Sequence, residues 1–175
     1  MKPFEGFKVN VTLFWEIQKL KNPYLDWFFT HFYLLGKGWV LLPIAVWLFL
    51  FRKRELPTFI LAIFIETLTV QGLKHIFNQP RPGAFFNNFQ PLEPVFHYSF
   101  PSGDTAMAFA IASFFWKRSN LYGKLLLGIY AFLISFGRIY LGAHFPLDVL
   151  VGAIIGVFST FLAEKLFSKR NQPTS

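Results

Sequence analysis

The chain has 175 residues, the length of one compact unit, yet 54% of it is hydrophobic, 21% aromatic and only 15% charged. A water-soluble domain this small leaves much of its surface in water and carries more charge, so the composition excludes that class and points to lipid as a second apolar solvent. The net charge of +8 does not indicate nucleic acid, because the basic residues lie between apolar segments rather than in one polar stripe, and the lack of cysteine removes disulfide and thiolate chemistry.

In chain order, residues 1–23 read as an interfacial segment, with Leu13, Ile17 and Leu20 on one helical face and Glu16 and Lys19 off it. The first twenty residues hold no short apolar core followed by a small-residue cleavage site, so no removable signal peptide is expected. Residues 24–35 are apolar and aromatic but short for a span, and the interfacial helix is expected to run into a tilted span here. Residues 38–51 follow Gly36-Lys37-Gly38, and residues 57–73 open on Pro57, a residue tolerated in a first helical turn. A polar, proline-rich stretch, 74–103, interrupts the apolar pattern before the apolar segments 104–116, 124–141 and 147–167 and a tail at 168–175. The expected fold is an all-α integral membrane bundle of about six transmembrane helices with an N-terminal interfacial helix, forming a single domain over 1–175.

Alternating six spans from a cytoplasmic N-terminus puts Lys2, Lys8, Lys19, Lys21, Arg52, Lys53, Arg54, Lys117, Arg118, Lys124, Lys165, Lys169 and Arg170 on the cytoplasmic side. Lys37, Lys74, Arg81 and Arg138 remain opposite, a split of 13 against 4. By the positive-inside rule both termini are then cytoplasmic and the 74–103 loop extracytoplasmic, at a bacterial inner membrane.

Three segments carry chemistry: Lys74-His75-Ile76-Phe77-Asn78-Gln79-Pro80-Arg81-Pro82, Phe100-Pro101-Ser102-Gly103-Asp104, and the run from Arg138 through His144 to Asp148. On the expected topology they meet at one membrane face. Lys74, Arg81 and Arg138 suit an anion, the arginines as planar bidentate donors. Ser102 and Gly103 add a hydroxyl and backbone N–H groups at a helix N-terminus. His144 and Asp148, at i and i+4, face each other on a helix, where a carboxylate fixes the tautomer of an imidazole whose other nitrogen attacks phosphorus. The chemistry indicated is phosphoryl transfer.

Together these segments resemble the signature of the type 2 phosphatidic acid phosphatase superfamily: Lys-x6-Arg-Pro, Pro-Ser-Gly-His and Ser-Arg-x5-His-x3-Asp. In size and layout the chain is most similar to small bacterial members acting on lipid A 1-phosphate, undecaprenyl pyrophosphate or phosphatidylglycerol phosphate. The resemblance implies that His144 is a nucleophile forming a phosphohistidine and that Asp148 orients it. It further implies that Lys74, Arg81, Ser102, Gly103 and Arg138 bind phosphate, with no metal and no cofactor. The implied partners are a membrane lipid substrate and the bilayer, not nucleic acid.

Two positions depart from the pattern. Gly137 replaces the Ser before the arginine, a position with no reacting role. Asp104 replaces the histidine that the family uses as general acid, and an ionised Asp near three cations donates no proton and repels phosphate; a carboxyl buried in an apolar wall stays protonated instead. Three readings follow: an engineered inactive variant, a natural enzyme whose leaving group departs unaided, or a site that binds without turnover. The rival of another class is a non-catalytic lipid-phosphate binding or transport protein. Glu66, inside a span, reads as a helix–helix hydrogen-bonding group, and His75, His97 and His144 lack the spacing of zinc ligands.

Overall fold

The computed structural model describes residues 4–93 and 98–170; Met1–Pro3, residues 94–97 of the expected loop with His97, and residues 171–175 of the expected tail lie outside the described residues. Every element is helical: α1 (Lys8–Gln18), α2 (Pro23–Phe32), 3-10 turns at Tyr33–Gly36 and Gly38–Val40, α3 (Leu41–Phe51), α4 (Leu56–Phe77), the short α5 (Pro82–Phe85), α6 (Gly103–Trp116), α7 (Leu121–Tyr140) and α8 (Pro146–Arg170).

Local chemistry explains the boundaries. Asn22 caps α2, its Oδ1 accepting from the N–H groups of Tyr24 and Leu25 at 3.1 and 3.0 Å ahead of Pro23. Asn120 caps α7 in the same way, accepting from Gly123 N–H at 2.9 Å. α4 ends at Asn78 in the left-handed conformation, φ 49°.

Among the described residues, three helical runs are each long and apolar enough to cross a membrane: Leu56–Phe85, Leu121–Tyr140 and Pro146–Phe167. The surrounding surface presents Leu42, Phe64, Leu126, Phe132, Leu150 and Phe158, all exposed. A soluble chain does not display apolar surface on this scale, so the bundle is a membrane bundle. α6 has only 14 residues, about 21 Å of helix. It lies inside, with Ala106, Ala108, Ala110, Ile111 and Phe114 buried, packed between α4, α7 and α8.

The all-helical bundle agrees with expectation, but two of the segments differ. Residues 24–35 and 38–51, read from the sequence as separate spans, form one run bent by 52° between Gly36 and Gly38. Tyr140 Oη donates to Asp26 Oδ1 at 2.6 Å and Tyr130 Oη to the Leu35 carbonyl at 2.9 Å, so α2 descends beside the C-terminal half of α7. α3 continues downward, where Leu48 packs with Phe59 and Phe114.

The second difference follows from the first. Because α2 and α3 cross as one run, residues 4–22 lie at the same end of the bundle as the chemistry-bearing segments. Phe4 N–H donates to Gln79 Oε1 at 2.9 Å, Gln18 Nε2 to the Ile139 carbonyl at 2.7 Å, and Leu147 N–H to Asn10 Oδ1 at 2.9 Å. The C-terminal end of α8 is at the far end, where Glu164 pairs with Lys117 and Arg118 at 2.9 Å each. The two ends of the described chain thus lie at opposite ends of the bundle, whereas the sequence led to the expectation of both termini on the face opposite the site.

Candidate active site

Four helix ends and one turn build the site. Lys74 is on the last turn of α4 and Arg81 just beyond it. Ser102, Gly103 and Asp104 open α6, Arg138 closes α7, and Asp148 is in the first turn of α8. His144 stands in the turn between α7 and α8. That turn reverses at Gly142, φ 77°, where a Cβ would meet the Phe89 ring at 2.6 Å. The Arg138 carbonyl accepts from the N–H groups of Ala143 and His144 at 3.1 and 3.2 Å, so one residue carries a cation and shapes the turn bearing the imidazole.

His144 is buried with distinct partners on its two ring nitrogens. Nδ1 is 3.1 Å from Asp148 Oδ2, and Nε2 is 3.1 Å from Arg81 Nη1, which also donates to the Ala143 carbonyl at 2.8 Å. A guanidinium only donates, so Nε2 is the acceptor and Nδ1 carries the hydrogen. Burial first, and then the Arg81 charge, push the His144 imidazole down to about 3, against the pull of Asp148. The ring is thus neutral, its Nε2 lone pair accepting from the Arg81 guanidinium.

Asp148 is wholly buried, and its Oδ2 also accepts from the Ser99 hydroxyl and from Phe145 N–H at 2.9 Å. The Lys74 ammonium donates to the carbonyls of Tyr98 and Ser99 at 2.8 and 3.1 Å, holding the strand of loop that supplies this serine.

The other wall is an ion-pair cluster. Lys37 Nζ is 3.2 Å from Glu93 Oε1 and 3.0 Å from Asp104 Oδ2. Arg138 pairs with Glu93 through Nη1, and its Nε lies 3.2 Å from Asp104 Oδ2. The Tyr33 ring packs against both cations, 4.9 Å from Lys37 Nζ and 5.4 Å from Arg138 Cζ.

The structure thus brings Lys74, Arg81, Asp104, Arg138, His144 and Asp148 together. Ser102 is close by but turned inward: its hydroxyl donates to Thr105 Oγ1 at 3.0 Å, and its N–H binds the Asp148 carbonyl at 3.0 Å, tying α6 to α8. Glu66 is buried on α4 and accepts from Thr67 Oγ1 of its own helix at 3.0 Å, not across helices. Sequence reasoning missed Ser99, Glu93 and Glu5, and left Lys37 without a role. No spacing pattern marks the first three. Lys37 carried a signal, as the one cation on the sparse side outside the three segments.

The helices thus gather cations, an acid-backed imidazole and a helix N-terminus at one end of a membrane bundle. The chain belongs to the PAP2 superfamily, whose model matches residues 55–172. It is similar to the undecaprenyl-diphosphatase of Sulfolobus acidocaldarius, 31% identical over 136 residues, 76% of this chain and 66% of that protein. It thus spans just under two thirds of that relative. Among solved structures it is similar to Aquifex aeolicus LpxE, with TM-score 0.89 and 49% identity over 93% of this chain and 99% of that one. It is also similar to the transmembrane PAP2-type phosphatidylglycerolphosphate phosphatase of Bacillus subtilis, with TM-score 0.79 and 26% identity over 98% and 92% of the two chains.

Proposed function

We propose that the protein is a metal-independent membrane lipid phosphatase acting through a phosphohistidine at His144. One observation carries this reading: the His144 lone pair on Nε2 points at Arg81, with Asp148 behind the opposite nitrogen. A phosphoryl group placed against Arg81, Arg138 and Lys74 presents phosphorus to that nitrogen, and the cations neutralise charge spread over the equatorial oxygens. Nε2 bonds to phosphorus as the bond to the leaving oxygen breaks, and Asp148 stabilises the imidazolium. Water then attacks phosphorus, the N–P bond breaks, and inorganic phosphate leaves with His144 restored.

Asp104 lies between Lys37 and Arg138, the setting of an ionised carboxylate, and an ionised carboxylate donates no proton to the leaving oxygen. The substrates that suit such a site are those whose leaving group is stable as an anion: a lipid pyrophosphate such as undecaprenyl pyrophosphate, or an anomeric phosphate such as lipid A 1-phosphate. Phosphatidylglycerol phosphate, with a poorer alkoxide leaving group, ranks below them. The active face is extracytoplasmic, at a bacterial inner membrane.

The test is phosphate release in detergent with chelator present, across these three lipids. Release from the first two that vanishes in His144→Ala is expected, and Asp104→His raises turnover of phosphatidylglycerol phosphate most. Release that survives His144→Ala sinks the mechanism. A second reading, lipid-phosphate binding without turnover, is favoured by Glu93 and Asp104 occupying the cations Lys37 and Arg138. It predicts lipid binding with no phosphate release even after Asp104→His.

A further inference from the structure

Glu5 lies outside all three signature segments, yet it is fully buried. The chain around it is tied to the site from both sides. Phe4 packs edge-on against Phe77 and Phe100, with ring centroids 5.5 and 5.1 Å apart. The Glu5 carbonyl accepts from Asn10 Nδ2 at 2.8 Å, while Asn10 Oδ1 accepts from the N–H of Leu147, the neighbour of Asp148, at 2.9 Å.

Three buried carboxyl oxygens are without a donor among the described residues: Oε1 and Oε2 of Glu5 and Oδ1 of Asp148. The Glu5 side chain is within hydrogen-bonding reach of Asp148. Two ionised carboxylates only accept, and burying them side by side is strongly unfavourable; one proton between them turns the clash into a hydrogen bond. The donors decide which residue holds that proton. Asp148 Oδ2 is met by the Ser99 hydroxyl, Phe145 N–H and His144 Nδ1, the pattern of an anion, and Glu5 is met by none. Burial and the Asp148 charge raise the Glu5 carboxyl far above its ordinary range, outweighing the opposing pull of Lys74 and Arg81.

We propose that Glu5 is a positioning residue that stays neutral and donates its carboxyl proton to Asp148 Oδ1, fixing the carboxylate that orients His144. The row then reads Glu5, Asp148, His144, and the N-terminal segment completes it from outside the three signatures. No proton moves along the row during turnover; Glu5 acts by holding the far oxygen of Asp148 still. The proposal rests on His144 being the nucleophile.

Glu5→Gln keeps a neutral donor of the same length, and Glu5→Ala removes it. With undecaprenyl pyrophosphate in detergent, Glu5→Gln is expected to retain kcat within about 3-fold, whereas Glu5→Ala loses roughly 10- to 100-fold in kcat with KM little changed, as for other orienting partners of an active residue. A second measurement needs no turnover: thermal unfolding of the lipid-free protein between pH 6 and 9. A carboxyl whose folded pKa is raised stabilises most below its unfolded value and loses that contribution as pH rises. The Tm of the wild type therefore falls relative to that of Glu5→Gln across this window, and taking the difference cancels the titration of Lys74, His144 and the remaining groups. Parallel Tm profiles, an unchanged kcat in Glu5→Ala, or equal damage from both substitutions overturns the proposal. A wild type that releases no phosphate overturns the mechanism beneath it, and the unfolding comparison still decides where the proton resides.

Discussion

In the proposed mechanism His144 attacks phosphorus only while its proton stays on Nδ1, and Asp148, 3.1 Å from that nitrogen, is the group placed to keep it there. Asp148→Asn presents an amide to that nitrogen and leaves the growing imidazolium without its counter-charge. The expected loss is about 10³- to 10⁴-fold in kcat, with KM changed far less, read by steady-state phosphate release. The neutral imidazole has a second consequence. Its pKa is lowered from 6.5 to about 3, so at acid pH the unfolded chain binds a proton that the folded protein refuses. Stability held above pH 6.5 is then lost as the pH falls toward 3. The wild-type Tm should drop from pH 7 to pH 5 relative to that of His144→Gln; identical profiles would show the ring charged or solvated. The pairs seen here were legible in the sequence where they are local: His144 and Asp148 share a helical spacing, and Lys74 and Arg81 bracket one helix end. Glu5, Lys37, Glu93 and Ser99 reach the same anion site through tertiary folding alone, and no residue spacing encodes that.

The relation of α6 to α8 sets the position of these groups, since Ser102 N–H binds the Asp148 carbonyl at 3.0 Å across the helix pair. Glycine makes the approach possible. A Cβ at Gly156 would lie 2.1 Å from the Ala106 carbonyl oxygen and one at Gly152 2.5 Å from that of Ser102, both backbone atoms that cannot step aside. Gly156→Ala must push the helices apart and should destabilise the protein by about 1–3 kcal/mol, with kcat falling as the α6 N-terminus shifts from His144. Gly72→Ala is the control: nothing stands within 4 Å of its Cβ, and helix propensity favours alanine by up to about 1 kcal/mol. Thermal unfolding in one detergent separates the two, and equal Tm values would show that close contact is not what glycine supplies. At this scale hydropathy exposed the long helices α4, α7 and α8 well. It read residues 24–35 and 38–51 as two spans, where the structure has two short runs meeting at a 52° bend, because the Gly36-Lys37-Gly38 break resembles a loop between spans. In the folded protein Gly36 instead closes on Ile134 and Lys37 turns inward to Asp104, as a bent single run requires.

For the molecule as a whole, residues 4–22 lie at the site end of the bundle, and this changes the distribution of charge between its two ends. Arg52, Lys53, Arg54, Lys117, Arg118, Lys124, Lys165, Lys169 and Arg170 are at or near helix ends remote from the site. On the site side Lys37, Lys74, Arg81 and Arg138 are engaged within the anion cradle, and Lys8, Lys19 and Lys21 belong to the N-terminal segment that lies over it. Set aside the cradle, and the positive residues still favour the far end, so the positive-inside rule continues to put that end in the cytoplasm. The proposed extracytoplasmic site then predicts that residues 4–22, at the same end of the bundle, face the same side. The chain's lack of cysteine makes this directly measurable. Lys8→Cys and Lys165→Cys, both at exposed positions, place single thiols at the two ends of the bundle. In intact cells a membrane-impermeant maleimide should label the first and not the second, with lysis exposing both. Labelling of neither, or of both, before lysis would put the two ends on one side of the membrane and restore an even number of crossings, which a single bent run over residues 23–51 does not allow.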